Sequence, residues 1–120
     1  MDLAGMIADI RRHPDFPKAG MVLCHNGVVR GHARDGRKVR GLRVAVDHGR
    51  LARILAEQKQ RAGIIDILVA IAADRDLAVG DDVMFLVVAG DIRENVIAAL
   101  TETLNLIKTS VTEKTEYFIE

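Results

Sequence analysis

Residues 79–114 have the sequence VGDDVMFLVVAGDIRENVIAALTETLNLIKTSVTEK, and this stretch decides the fold. It contains an uninterrupted apolar run at residues 83–89. A run this short and this rich in β-branched residues predicts a strand that is buried on both faces. Gly90 and Asp91 then predict a tight turn.

A long helix is predicted directly after that turn. Apolar residues recur about every 3.6 positions from Ile92 to Ile107, which is typical of a helix packed against a sheet. Asp91 is a good N-cap residue, and Glu94 three positions later predicts a capping box. The length of this helix determines where Lys108 lies. A lysine-bearing tail follows the helix.

Size and composition predict one globular domain over residues 1–120. Of the 120 residues, 49% are apolar, and the mean hydropathy is +0.13. A chain of this length can bury a core without additional cross-links. No apolar run approaches the ~20 residues of a membrane span, and residues 1–4 do not resemble a signal peptide. With a single cysteine, we expect a cytoplasmic protein with no membrane association.

The charges balance overall but are unevenly distributed. Lysine and arginine total 17, as do aspartate and glutamate, yet residues 30–43 hold six basic residues against Asp35 alone. This segment predicts either a local anion site or a solvated basic hairpin. Aromatic residues make up only 3% of the chain, so stacking platforms for nucleic acid are scarce and we expect no nucleic-acid partner.

The remaining patterns predict an α+β sandwich with helices packed on an antiparallel or mixed sheet. The expected order is helix, two strands, helix, two strands, helix and a strand-like tail. Asp35-Gly36 predicts a hairpin between the first two strands, and Gly27 predicts a bulge in the first.

Most chemical motifs are absent. Cys24 is predicted to be a buried core residue, because unpaired cysteines usually behave as small hydrophobes. The four histidines do not have zinc-ligand spacing, so no metal site is predicted. There is no phosphate-binding glycine loop, and Ser110 has no histidine beside it. Taken alone, Lys108 is a cation at a helix C-terminus and Lys114 an ordinary surface lysine.

Four segments within residues 20–118, taken in order, resemble the large, catalytic subunit of molybdopterin synthase. Residues 27–30 (GVVR) resemble the GxVR motif of that family, and residues 80–83 (GDDV) resemble its GDE element before an apolar strand. Ile92-Arg93 lies where the family has a His-Arg pair at the start of its last long helix. Residues 106–109 (LIKT), followed by Glu113-Lys114, resemble the paired-lysine segment at the end of that helix.

The resemblance implies an α/β-hammerhead-like domain that forms a homodimer, and a heterotetramer with a small partner. The family transfers sulfur to cyclic pyranopterin monophosphate, which gives molybdopterin. The donor is the C-terminal thiocarboxylate of a small ubiquitin-like sulfur carrier, whose Gly-Gly tail enters a pocket of the large subunit. Lys108 and Lys114 would then be the catalytic residues, and Arg30 and Arg93 would bind the substrate. No cofactor is implied, and cationic groups suit an anionic substrate and an anionic donor.

By this resemblance the chain would be a short, divergent member of the family. Ile92 replaces the histidine of the His-Arg pair, and the two lysines are one residue closer together than in the family pattern. Two other functions therefore stay open. One is a degenerate, non-catalytic dimeric paralogue that binds the small subunit or an anionic ligand without turnover. The other is an unrelated binder of small anions built on residues 30–43.

Overall fold

The computed structural model describes all residues, 1–120, as an α+β fold with two antiparallel sheets. In chain order the elements are α1 (Leu3–Arg11), β1 (Met21–Val28), β2 (Val39–Val46), α2 (His48–Gln58), β3 (Ile64–Ile71), β4 (Leu77–Ala78), β5 (Asp82–Gly90), α3 (Arg93–Ser110) and β6 (Thr112–Phe118). The predicted fold class and the predicted order of the main elements are confirmed. None of the helices is long and apolar enough to cross a membrane.

The first sheet has the order β1-β5-β3, and β5 is its central strand. Residues 84–90 of β5 are all buried, as the continuous apolar run predicts. One face of β5 packs against α1 through Ile10, Val87 and Ala89. The other face packs against α3, where Leu86 and Val88 meet Val96 and Ala99. Helices on both faces explain why this strand has no polar alternation.

The second sheet has the order β4-β2-β6, with β2 in the middle. Gly41 of β2 faces β4 so closely that a Cβ atom there would overlap the carbonyl oxygen of Leu77. Val44 of β2 pairs with Lys114 of β6. The core beside this sheet is formed by Val29, Leu42 and Val44, together with residues of the β3–β5 segment. The strand-like tail is therefore a true strand of the second sheet.

The predicted hairpin between β1 and β2 is wrong. β1 pairs with β5 and β2 pairs with β4 and β6, so the two strands belong to different sheets. Only one isolated bridge, between His32 and Lys38, joins the chain on either side of the turn. The turn itself is present, and Gly36 has a φ of +90° that favours glycine. The predicted bulge is also present, as a register shift between Gly27 and Val28.

The predicted capping box at the start of α3 does not form. Ile92 occupies the N-cap position, and no side chain caps the helix there. The Asp91 carboxylate accepts hydrogen bonds from the Ile92 backbone N–H at 2.6 Å and the Asn95 side-chain amide at 2.9 Å. Glu94 pairs with Arg93 instead of reaching back along the chain. Asp91 therefore lies one residue too early to act as the N-cap.

Candidate functional site

A cleft of about 510 Å³ lies where the two sheets meet. Its walls come from the end of β1, the loop before β2, the end of α3 and strand β6. Its apolar lining consists of Val28, Leu42, Val44, Ile71, Val83 and Met84. A concave, partly apolar site with a few converging polar groups is the usual form of a small-ligand site.

Four cationic side chains line this cleft: Arg30, Arg34, Lys108 and Lys114. Only Lys114 has a carboxylate nearby, the Glu116 carboxylate at 3.9 Å, which is also the only acid of the cleft. Arg30, Arg34 and Lys108 form no ion pair within the chain. An excess of uncompensated positive charge in a concave site attracts anions.

Lys108 reaches the cleft because the last turn of α3 is firmly anchored. Its neighbour Ile107 is 0% exposed and packs with Ile54, Met84 and Val111. The Ile107 carbonyl accepts a hydrogen bond from the Val111 N–H, and β6 begins directly afterwards. The buried isoleucine therefore determines the direction in which the adjacent lysine leaves the helix.

Arg30 is directed by the loop that follows β1. The bulge after Gly27 ends the regular pairing with β5, and Val29 then donates its N–H to the Asp81 carbonyl. The Arg30 Nε donates to the His32 carbonyl at 2.8 Å, which leaves the terminal guanidinium nitrogens without a partner in the chain. Those nitrogens are the donors that bind phosphate and carboxylate groups in two-point contacts.

The other three arginines of the basic segment make contacts within the fold. Arg37 lies 3.8 Å from the Phe118 ring centroid and pairs with Asp35, and Arg40 lies 5.0 Å from the Tyr117 ring. Arg43 contacts Asp76, the carboxylate of which also accepts a hydrogen bond from the Tyr117 hydroxyl at 2.9 Å. These two donors hold the pKa of the Asp76 carboxyl below its usual value. Of the segment's arginines, Arg30 and Arg34 face the cleft.

Sequence reasoning did not identify His25 as a residue of the cleft. It lies on β1 at the cleft wall, and a Cβ atom at Gly27 would lie 3.2 Å from its Nε2 atom. Burial, and then the positive charge of Lys108, lower the pKa of His25 from its usual value. The signal available in the sequence was the spacing of His25 and Gly27, which places both on one face of the strand.

The other predicted substrate-binding residue, Arg93, lies away from the cleft. Arg93 lies at the start of α3, pairs with Glu94 and does not line the cleft. It is 15 positions from Lys108 along the helix, or about 22 Å at 1.5 Å per residue.

Cys24 is exposed, so its prediction as a buried core residue is wrong. The reason is that β1 is an edge strand and α1 covers only part of that face.

The sequence model of the MoaE protein family matches residues 2–110. The chain belongs to the MoaE family. This confirms the resemblance to the large subunit of molybdopterin synthase. None of the curated proteins matches the chain in sequence.

Solved MoaE structures have the same fold. Molybdopterin cofactor biosynthesis protein E from Burkholderia multivorans has a TM-score of 0.77 and 25% identity, covering 99% of this chain and 84% of that chain. Molybdopterin synthase from Staphylococcus aureus has a TM-score of 0.72 and 22% identity over 86% of this chain and 77% of that chain. A complex of subunits 1 and 2 of the molybdopterin-converting factor from Helicobacter pylori has a TM-score of 0.72 and 14% identity, covering 100% of this chain and 85% of that chain.

Proposed function

We propose that this MoaE protein, which has a role in molybdenum cofactor biosynthesis, is the subunit of molybdopterin synthase that transfers sulfur to cyclic pyranopterin monophosphate. The observation that supports this most directly is the joint presence of Lys108, Lys114 and Arg30 in one cleft. Residues from two distant parts of the sequence line it together, and two of the three, Arg30 and Lys108, form no ion pair. The cyclic phosphate of the substrate and the thiocarboxylate of the donor are both anions that such a cleft would attract.

In the proposed reaction, a bond forms between the donor sulfur and a side-chain carbon of the pterin, and the bond of that carbon to oxygen breaks. The oxygen leaves with the opened phosphate ester in one transfer and as water in the other. The carbon–sulfur bond of the donor breaks, and the donor's carbonyl carbon takes an oxygen from water and ends as a carboxylate. Two such transfers give the dithiolene, with no net oxidation or reduction. Negative charge develops on oxygen and sulfur during each transfer, and the ammonium groups of Lys108 and Lys114 would stabilise it.

The proposed partner is a small ubiquitin-like sulfur carrier with a C-terminal Gly-Gly. The Helicobacter pylori structure is a complex of two subunits, and its fold supports a similar assembly for this chain. The apolar part of the cleft, formed by residues such as Val28 and Val83, suits a narrow peptide tail without side chains. Lys108 and Lys114 are exposed and therefore accessible to the end of that tail.

Arg30 is proposed to bind the phosphate of the substrate. Because hydrogen bonds to charged groups contribute about 1.5–3 kcal/mol, Arg30→Ala is expected to raise KM for the pterin about ten- to a hundredfold with a smaller change in kcat. Steady-state kinetics with a saturating thiocarboxylated partner measure both constants. Arg12→Ala, which removes an exposed arginine directly after α1 that pairs with Asp9, is the matched control. A fall in kcat at unchanged KM would contradict the assignment.

We also propose that the chain forms a homodimer. Strand β5 does not offer a surface for dimerisation, because α1 and α3 bury it within one copy. The edge strands are β1 and β3 in the first sheet and β4 and β6 in the second, and Val28 of β1 is 54% exposed. Light scattering at micromolar concentration should report twice the 13.2 kDa chain mass. A monomer mass would contradict the proposal.

Arg93 could reach a substrate only from a second copy, since the cleft of its own copy is about 22 Å away along α3.

The proposed function is tested by reconstitution with the thiocarboxylated small subunit and cyclic pyranopterin monophosphate. The expected product is molybdopterin. The exposed Ile92, which replaces the family's histidine, favours one alternative, a paralogue that binds the partner without turnover. Complex formation without product would support that alternative. Binding of phosphate esters without any complex would instead favour the anion binder.

A further inference from the structure

His25 differs from the other polar groups of the cleft in having a ring nitrogen that nothing satisfies. Its Nε2 atom is buried and makes no hydrogen bond to any protein atom. The ring leans along β1 over Gly27, where the absence of a side chain leaves space for it. A buried polar atom without a partner costs free energy, about 1–3 kcal/mol, and such atoms are rare unless they have a use.

We propose that His25 is a further anion-binding residue of the cleft, which takes up a proton from solvent when an oxyanion enters and releases it when the oxyanion leaves. The inference rests on the anion-binding part of the proposed function and does not require sulfur transfer. The ligand class is a phosphate ester or another tetrahedral oxyanion. Its oxygens supply the acceptors that a protonated imidazole needs and that the wall of the free cleft does not provide.

The charges around the ring explain why the proton is absent before binding. The cleft presents the cations Arg30, Arg34, Lys108 and Lys114, the second histidine His32 and the single acid Glu116, which pairs with Lys114. Burial and the charge of Lys108 keep the pKa of His25 below the usual value of 6.5. Both effects favour the neutral imidazole in the empty cleft, which adds no further repulsion among the cations.

An entering oxyanion reverses this balance. Its negative charge offsets that of Lys108, so protonation of His25 becomes favourable and raises the pKa of the imidazole. Proton binding and oxyanion binding are linked. If a bound oxyanion raises the proton affinity of His25, protonation of His25 raises the affinity for the oxyanion. Oxyanion affinity is therefore expected to rise as the pH falls through the range in which His25 titrates.

Sulfate is the probe for this test, because it keeps a charge of −2 throughout the range between pH 5.5 and 8.5. The four histidines are followed by NMR of their ring protons in the full-length protein with and without sulfate, and His25→Gln assigns the His25 signal. We expect the pKa of His25 to lie below the usual histidine value of 6.5 in the free protein. Saturating sulfate should raise its midpoint by about one pH unit, with sulfate binding about tenfold tighter at the acidic end.

Two variants separate His25 from the other histidine of the cleft. His25→Phe keeps a ring at this position and should remove most of the pH dependence of sulfate affinity. His32→Gln should keep the wild-type dependence. If His25→Phe does not fold, His25→Gln replaces it in the same measurement. An unchanged His25 midpoint in sulfate, a pH dependence that follows His32, or no sulfate binding in the cleft would each overturn the inference. Loss of molybdopterin formation with a normal sulfate response would instead overturn the proposed function alone.

Discussion

Lys108→Ala is expected to lower the rate of molybdopterin formation about a hundred- to a thousandfold while leaving the melting temperature nearly unchanged. Lys108 is exposed at the end of α3, forms no ion pair and lines the cleft. Its interaction with the helix C-terminus stabilises the fold by under ~1 kcal/mol. Its proposed effect on the developing negative charge of the reaction is several times larger. Single-turnover assays and thermal denaturation measure the two effects separately.

The controls for this variant come from the same chain. Lys18→Ala removes an exposed lysine that pairs with Asp15 outside the cleft, and it should change neither rate nor stability. Lys114→Ala should act in the same direction as Lys108→Ala but less strongly, since Glu116 already offsets part of the Lys114 charge. If wild type forms product and Lys108→Ala keeps more than about a tenth of its rate, Lys108 does not have the proposed role. If wild type binds the partner but is inert, Ile92→His is the variant to examine next.

Ile107→Ala, one residue earlier, is expected to cost about 2–5 kcal/mol of unfolding free energy. The Ile107 side chain is 0% exposed and packs with Ile54, Met84 and Val111, so its truncation leaves a cavity between α2, α3 and β5. Urea denaturation measures the loss as a lower midpoint at an unchanged m-value. The melting temperature should fall by roughly 10 °C or more.

Ile97→Ala is the matched control, because Ile97 lies on the same helix and is 48% exposed. It should cost no more than about 1 kcal/mol, since little apolar area returns to water. Equal losses for the two variants would mean that the end of α3 is not anchored through Ile107.

The sequence predicted the elements of this fold well where one short pattern determined them. The apolar run at 83–89 and the 3.6-residue period after Ile92 each have one physical solution, a doubly covered strand and a packed helix. The partners of the strands were not predictable in this way. The turn at Gly36 indicated a local hairpin, yet the wider network of pairs with β5 and β6 placed the flanking strands in different sheets. Non-local pairing depends on parts of the chain that no local pattern contains.

The same distinction applies to the cleft. Lys108, Lys114 and Arg30 were candidates only through the family resemblance, and their convergence depends on the length of α3 and on the pairing of β6 with β2. His25 was missed because its properties depend on burial in the folded cleft and then on Lys108, which is 83 positions away in the sequence. Exposure of Cys24 likewise depends on β1 being an edge strand, which only the complete sheet determines. Arg93 shares a helix with Lys108 but lies at its opposite end.

The most direct measurement of the central hypothesis, that the partner's tail ends in this cleft, is a zero-length cross-link. Carbodiimide joins the C-terminal carboxylate of the small subunit to whichever lysine amine it contacts, and peptide mass spectrometry identifies that lysine. The chain has five lysines, and only Lys108 and Lys114 line the cleft. We expect the cross-link at these two lysines, reduced by an excess of the phosphate-bearing substrate. A cross-link confined to Lys18, Lys38 or Lys59 would contradict the proposed site.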